Sequence, residues 1–262
     1  MKIERVELRM LRANLKFRFE TSFGVEEDLQ NLLLVVHAEG LEGYGEVTAN
    51  RVPGYSYETS KVAWVALEEY VLPRVVGKEF STPTQLVAAL EPIRGHDMAV
   101  AALEMAFWDL QAKAADLPLW QLLGGVRTQI PVGASIGIQP SVEHTVAAAE
   151  RHAAEGYKRL KFKIRPGWDV APLTAVRHAL PAMALTVDAN SAYRITDARV
   201  FVALDELDLD YVEQPLAHDD LVDHAELQSM LSTPICLDES VHSAADARKG
   251  LGIGAGRVIN VK

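Results

Sequence analysis

The rhythm of hydrophobic and polar positions changes once along the chain. In MKIERVELRM, Val6, Leu8 and Met10 alternate with charged neighbours, the period of a strand with one buried face. LLLVVHA (residues 32–38) reads as a second strand, and Gly40, Gly43 and Gly45 in the following EGLEGYGE predict a hairpin turn. Residues 57–123 read as helical: Val100, Leu103, Phe107 and Leu110 share a face, and Gly124-Gly125 stops the chain after LPLWQLL. Strands followed by helices predict an α+β domain over residues 1–125. Residues 126–262 instead alternate strand with helix. The strand candidates are IPVGASIG, RLKFKI, ALTVDAN, DYVEQP, TPICLDES and RVINVK, separated by helical stretches such as SVEHTVAAAERHAAEGY and LVDHAELQSML. This predicts an α/β fold with a parallel sheet, a TIM-like (β/α) barrel. A closed barrel has eight strands and only six are read here, so the barrel is expected to be incomplete in this chain, truncated after strand 6. The chain by itself is then expected to be poorly stable and weakly active.

Ionisable residues recur with the strands. Lys163, Asp188, Glu213 and Asp238 are each 25 residues apart, and Lys262 follows after 24. One βα unit has about this length, because a barrel divides roughly 250 residues among eight units. Alternation puts Leu160, Phe162 and Ile164 on one strand face and Lys161 and Lys163 on the other. The apolar face suits a covering layer of helices. The ionisable face then points inward, at the C-terminal mouth where barrel enzymes place their chemistry. A single Asp at a strand end is commonly a helix cap or turn residue. Three acids in register on consecutive strands need another explanation. Buried carboxylates that converge repel one another unless a cation holds them, and oxygen ligands suit Mg²⁺ or Mn²⁺. Asp188, Glu213 and Asp238 are therefore candidate metal ligands. For the lysines two readings stand: they neutralise the acids, or they carry chemistry.

Charge and composition exclude several classes. Lys plus Arg total 26 against 36 Asp plus Glu, a net charge of −10, which disfavours nucleic acid and anionic membrane surfaces. No apolar run approaches the roughly 20 residues that span a bilayer. The single cysteine, Cys236, excludes an internal disulfide framework and a cysteine-based zinc site; it suits a cytoplasmic protein and reads as core. GLGIGAG (250–256) fails the dinucleotide pattern at Ala255 and Arg257 and reads as a helix end with a turn. DELDLD (205–210) reads as a solvated helix end.

The strand-end motifs K-F-K (161–163), D-A-N (188–190), E-Q-P (213–215), D-E-S (238–240) and N-V-K (260–262) together resemble the enolase superfamily, muconate-lactonizing subgroup. ALEMAFWDLQAK (102–113) with LPLWQLLGG resembles its capping domain, and FRFETSFGV (17–25) its mobile specificity loop. FRFETSFG, SIGIQPSVE, IRPGWD, DANSAY and DDLVDHAEL resemble most the o-succinylbenzoate synthase / N-acylamino acid racemase group. The resemblance implies Asp188, Glu213 and Asp238 as ligands of Mg²⁺ or Mn²⁺, Lys163 and Lys262 as acid–base groups flanking the substrate, and Lys161 beside Lys163. N-V-K differs from the mandelate-racemase branch, which places a His–Asp pair there. The implied activity is removal of a proton α to a carboxylate through an enediolate. It serves either a dehydration to o-succinylbenzoate on the route to menaquinone (a lyase) or racemisation of N-acylamino acids (an isomerase). The alternatives are a dipeptide epimerase of the same subgroup and a catalytically incomplete fragment. Ser135, Asn190, Phe19, Phe23 and Tyr55 are candidate substrate contacts; a strand-end cap for Ser135 and core packing for the aromatics are the other readings. The expected partner is a small carboxylate, with no nucleic acid or membrane, and a homo-oligomer is expected at full length. VEEDLQN, after the specificity loop, is more acidic than the family pattern.

Overall fold

A computed structural model describes residues 1–262. The chain forms two compact units, Met1–Lys16 with Glu27–Gln129 and Phe17–Glu26 with Ile130–Lys262.

The strands β1 (Arg5–Glu20), β2 (Val25–Ala38) and β3 (Leu41–Val47) form a sheet in that order, which belongs to the first unit apart from residues 17–26 at the ends of β1 and β2. β2 and β3 are antiparallel, and the turn between them takes positive φ at both Glu39 and Gly40 (52° and 78°), the backbone that matches strand twist in a two-residue hairpin. Four α-helices follow: α1 (Ser60–Ala66), which runs on into a π-helical turn (Leu67–Val71) and a 3-10 turn (Leu72–Arg74), α2 (Pro83–Leu90), α3 (Asp97–Ala114) and α4 (Leu119–Leu122). Thr59 and Thr82 cap the first two by accepting the Val62 and Gln85 N–H groups. The N-terminus of α3 is capped from afar. Buried Glu58 accepts the N–H groups of Met98 (2.8 Å) and Ala99 (3.2 Å). Leu34, Val36, Leu103, Phe107 and Leu110 lie at the centre of this core.

Gly43 and Gly45 depart from the hairpin-turn expectation. They lie inside β3, against which α3 packs. A Cβ on either would collide with a carbonyl oxygen of α3, that of Ala106 or that of Ala102. Their role is close approach of helix to sheet.

The second unit repeats one motif. The strands are β4 (Ala134–Ile136), β5 (Arg159–Lys163), β6 (Ala184–Asp188), β7 (Tyr211–Glu213), β8 (Ile235–Leu237) and β9 (Val258–Ile259). Between them run α5 (Val142–Ala154), α6 (Val170–Ala179), α7 (Ala198–Asp205), α8 (Val222–Met230) and α9 (Ala244–Gly252). All six strands pair in parallel with their sequence neighbours. Leu160, Phe162, Leu185, Val187, Val212, Ile235 and Leu237 pack against Ala148, Leu173, Val176, Phe201, Leu204 and Leu227 of the helices, the apolar outer face that alternation predicts. GLGIGAG closes α9 and turns at Gly254 (φ 77°). Asp205, at the end of α7, is not merely solvated: it accepts the N–H groups of Ser232 and Thr233.

The register refines the 25-residue spacing. Lys163 pairs with Asp188 and Asp188 with Glu213, but Glu213 pairs with Cys236. Asp238 therefore lies just past β8, two residues beyond the position opposite Glu213 that the spacing implies. A two-residue step keeps the side chain on the same face, and a stagger of this kind is what tilted barrel strands require. No helix is long and apolar enough to cross a membrane.

Candidate active site

The sheet delivers its ionisable side chains to the C-terminal strand ends in chain order. Lys161 and Lys163 come from β5, Asp188 from β6 and Glu213 from β7; Asp238 follows β8, and Asn260 and Lys262 follow β9. Asp188, Glu213 and Asp238 are each buried. Lys163 Nζ donates to Asp188 Oδ2 (2.7 Å). Lys161 Nζ lies 3.1 Å from the same oxygen and 3.0 Å from Glu213 Oε2. Asn260 Nδ2 donates to Glu213 Oε1 (3.1 Å) and to Asp238 Oδ1 (3.2 Å). Lys262 Nζ donates to Asp238 Oδ2 (2.6 Å). The result is one unbroken string of polar contacts across five strands. Lys163 stands at one end, Lys262 at the other, and three acids lie between.

The electrostatics follow from this order. Burial works to raise the Asp188 pKa, but Lys163 and Lys161 hold its carboxyl below the usual range. Burial and then the Asp188 charge push Glu213 up to about 7. Burial, Glu239 and Glu213 push Asp238 up to about 8. Burial works to lower the Lys161 pKa, but Asp188 and Glu213 overcome it and hold this amine as a firm ammonium. Burial pushes Lys262 down to about 8, a direction that the neighbouring Asp238 carboxylate opposes.

No three His, Cys, Asp or Glu side chains converge closely enough to hold a metal ion as they stand; Lys161 and Asn260 lie between the acids. In kind, the donors fit a hard divalent cation. They are all carboxylate oxygens from three adjacent strand ends, and burial together with mutual repulsion already raises two of them.

Residues 5–124 match the family model described as mandelate racemase / muconate lactonizing enzyme, N-terminal domain, and residues 144–262 match the model described as enolase C-terminal domain-like. The chain belongs to the enolase superfamily. Its parallel sheet is thus that superfamily's TIM-like barrel sheet, here with six strands. The chain is 58% identical over 262 residues to an N-succinylamino acid racemase of Thermus thermophilus, covering 100% of this chain and 71% of that protein. It is 51% identical to an o-succinylbenzoate synthase of Geobacillus kaustophilus, covering 99% and 70%. Among solved structures, a dipeptide epimerase from Enterococcus faecalis, complexed with Mg and the dipeptide L-Leu-L-Tyr, superimposes with a TM-score of 0.89. It is 30% identical, over 100% of this chain and 75% of that one.

The other expected residues of this enolase-superfamily chain fall in different places. Asn190 is in the string, accepting from Lys163 Nζ at its Oδ1 (2.6 Å). Ser135 pairs with Lys161 on β4 and is exposed. It does not cap the next helix; Ser141 caps α5. Phe19 lies over Gly137, where a Cβ would meet its ring and the Glu20 backbone. Phe19 and Phe23 group with the second unit and Tyr55 with the first. Cys236 is buried core, its thiol pushed up to about 12 by burial.

Three residues escape the sequence reading. Asn260 shares a face with Lys262 by alternation, and that shared face is the signal that marks it. Gln214 is fully buried with φ 35°, and its Oε1 accepts the N–H groups of Asp238 (2.9 Å) and Ser240 (3.3 Å). It thereby locks the end of β8 to the end of β7. Glu239 neighbours Asp238 and by strand alternation would face away from it, yet the strand has ended at Leu237. Glu239 turns back to accept from Asn190 Nδ2 (2.9 Å).

Proposed function

We propose that the protein abstracts a proton α to a carboxylate through an enediolate, as an o-succinylbenzoate synthase and N-acylamino acid racemase. The observation that carries this reading is the string of contacts with an amine at each end and three acids between. Such a proton is too weakly acidic for a side-chain base unless the charge left behind is stabilised. A divalent cation, Mg²⁺ or Mn²⁺, held by Asp188, Glu213 and Asp238 would supply that positive charge. Lys163 takes or returns the proton on one face of the substrate and Lys262 on the other, which racemises the centre. Where the substrate carries a β-hydroxyl, Lys163 removes the α-proton and then protonates the departing hydroxyl, while Lys262, as an ammonium, steadies the negative charge. Lys161 does neither. Two carboxylates keep it charged, so it holds Asp188 and Glu213 in place.

The similarity at 58% and 51% to a racemase and a synthase supports these two activities over dipeptide epimerisation, which has support at 30%. The enzyme would work in the cytoplasm on a small carboxylate. The test is the full-length gene product with Mg²⁺ or Mn²⁺. Exchange of the α-proton of N-succinylamino acids in deuterium oxide and dehydration to o-succinylbenzoate are expected. Lys163→Ala and Lys262→Ala are expected each to remove racemisation; racemisation that survives both refutes the assignment.

A further inference from the structure

We propose that Glu239 is a positioning residue for Lys163, acting through the side-chain amide of Asn190. This deepens the reading of Lys163 as an acid–base group and rests on it. Lys163 Nζ has two partners, Asp188 Oδ2 at 2.7 Å and Asn190 Oδ1 at 2.6 Å. Asp188 is shared with Lys161. Asn190 is the neutral partner, and its aim depends on which end of its amide faces the amine.

The backbone of Asn190 is fixed on both sides. Its N–H donates to Asp188 Oδ1 (3.0 Å), and its carbonyl accepts from the Ser22 hydroxyl (3.4 Å). Asn190 and Ser191 both take left-handed backbone (φ 44° and 64°), a conformation Asn tolerates better than most side chains. What remains free is rotation of the amide by half a turn. One orientation offers oxygen to Lys163; the other sets an NH₂ group against a charged donor. Glu239 Oε1, accepting from Asn190 Nδ2 at 2.9 Å, selects the first.

A purely structural role explains Glu239 poorly. Its side chain is buried, and no side chain or backbone group of another residue donates to its Oε2. A buried carboxylate held so one-sidedly detracts from stability, so the fold would do better with an apolar side chain here. The oxygen that is met is the one that turns Asn190 toward Lys163.

The test follows α-deuterium exchange of N-succinyl-L-phenylalanine and N-succinyl-D-phenylalanine separately, with the full-length gene product and Mg²⁺. Lys163→Ala identifies the enantiomer whose proton Lys163 removes. Glu239→Leu is expected to slow exchange of that enantiomer about ten- to a hundredfold, the scale of an ångström-sized misplacement, and to leave the other within about twofold. Glu239→Gln keeps an acceptor oxygen and is expected to restore the rate. Asn190→Gly, which accepts the left-handed backbone, is expected to show the same selective loss, with Glu239→Leu adding nothing on top of it. Equal loss for both enantiomers, no loss, or multiplying losses in the double variant overturn the proposal while Lys163→Ala remains selective. If Lys163→Ala itself spares both enantiomers, the acid–base reading falls, and this inference with it.

Discussion

Removing Lys161 separates the structural role of its amine from the chemistry of its neighbours. Its Nζ lies within 3.1 Å of Asp188 and Glu213, whose side chains are 1% and 2% exposed. Lys161→Met keeps most of the aliphatic stem and deletes the charge between the two acids. Breaking a buried ion pair from one side costs about 3–5 kcal/mol, because the partner charge stays behind. At about 2–4 °C per kcal/mol for a domain of this size, the apparent Tm should fall by about 6–20 °C in chelator. The loss should depend on pH. Glu213 is already pushed up to about 7, and losing Lys161 raises it further. The folded variant then binds a proton more tightly than the unfolded chain and is penalised less at pH 6 than at pH 8.5. A divalent cation replaces the missing charge, so the variant should bind Mg²⁺ more tightly than wild type does, and saturating Mg²⁺ should narrow the gap by about 1.4 kcal/mol for each tenfold difference in Kd. Thermal unfolding by circular dichroism at both pH values, with and without Mg²⁺, reads all three effects. A variant as stable as wild type in chelator, or a gap that Mg²⁺ leaves unchanged, would refute the reasoning.

Other expectations concern the scaffold. Gly45→Ala drives a methyl into the Ala102 carbonyl and should destabilise by about 1–3 kcal/mol. Gly252→Ala, at the end of α9 with open space around it, should stabilise by up to about 1 kcal/mol; urea melts that rank the two the other way would contradict the packing account. His224 is buried, its Nε2 accepts the Leu216 N–H at 3.2 Å, and burial lowers its pKa. Its contribution is present above the unfolded value of about 6.5 and is lost as pH falls toward the folded value. His224→Asn should flatten the acid limb of the stability curve, and an unchanged limb would count against the assignment. Cys236, with its thiol pushed up to about 12 and 2% of its surface exposed, should resist thiol reagents in the native protein and react only in urea.

The barrel-type half was legible because its strands are buried on one face and charged on the other. Leu160, Phe162 and Ile164 against Lys161 and Lys163 fix face and register together. The site was legible for the same reason: one polar residue per unit, at a constant spacing, cannot scatter around a parallel sheet. What the sequence hid were deviations from that regularity. The two-residue stagger between β7 and β8 leaves the 25-residue interval intact, so counting cannot see it. Gln214 enters the left-handed region without being glycine, and nothing in E-Q-P signals that its amide will collect N–H groups from the next strand. Glu239 is invisible to strand alternation because β8 ends two residues before it, at Leu237. Gly43 and Gly45 were read as turn residues because glycine's permissive backbone is easier to recognise in a sequence than its missing Cβ.

Charge balance in the string bears on the order of binding. Asp188, Glu213, Asp238 and Glu239 face Lys161, Lys163 and Lys262, so the acids exceed the lysines by one when all are ionised. A substrate carboxylate entering alone deepens the excess. A divalent cation reverses it, and the α-carboxylate then restores neutrality. Substrate should therefore bind at least tenfold more tightly with Mg²⁺ than in chelator, and by reciprocity Mg²⁺ should bind as much more tightly with substrate present. Calorimetric titration of an N-succinylamino acid into the Lys163→Ala protein, which avoids turnover, measures this coupling. Equal affinity in Mg²⁺ and in chelator would mean that the three acids do not form the site at which the substrate carboxylate is received.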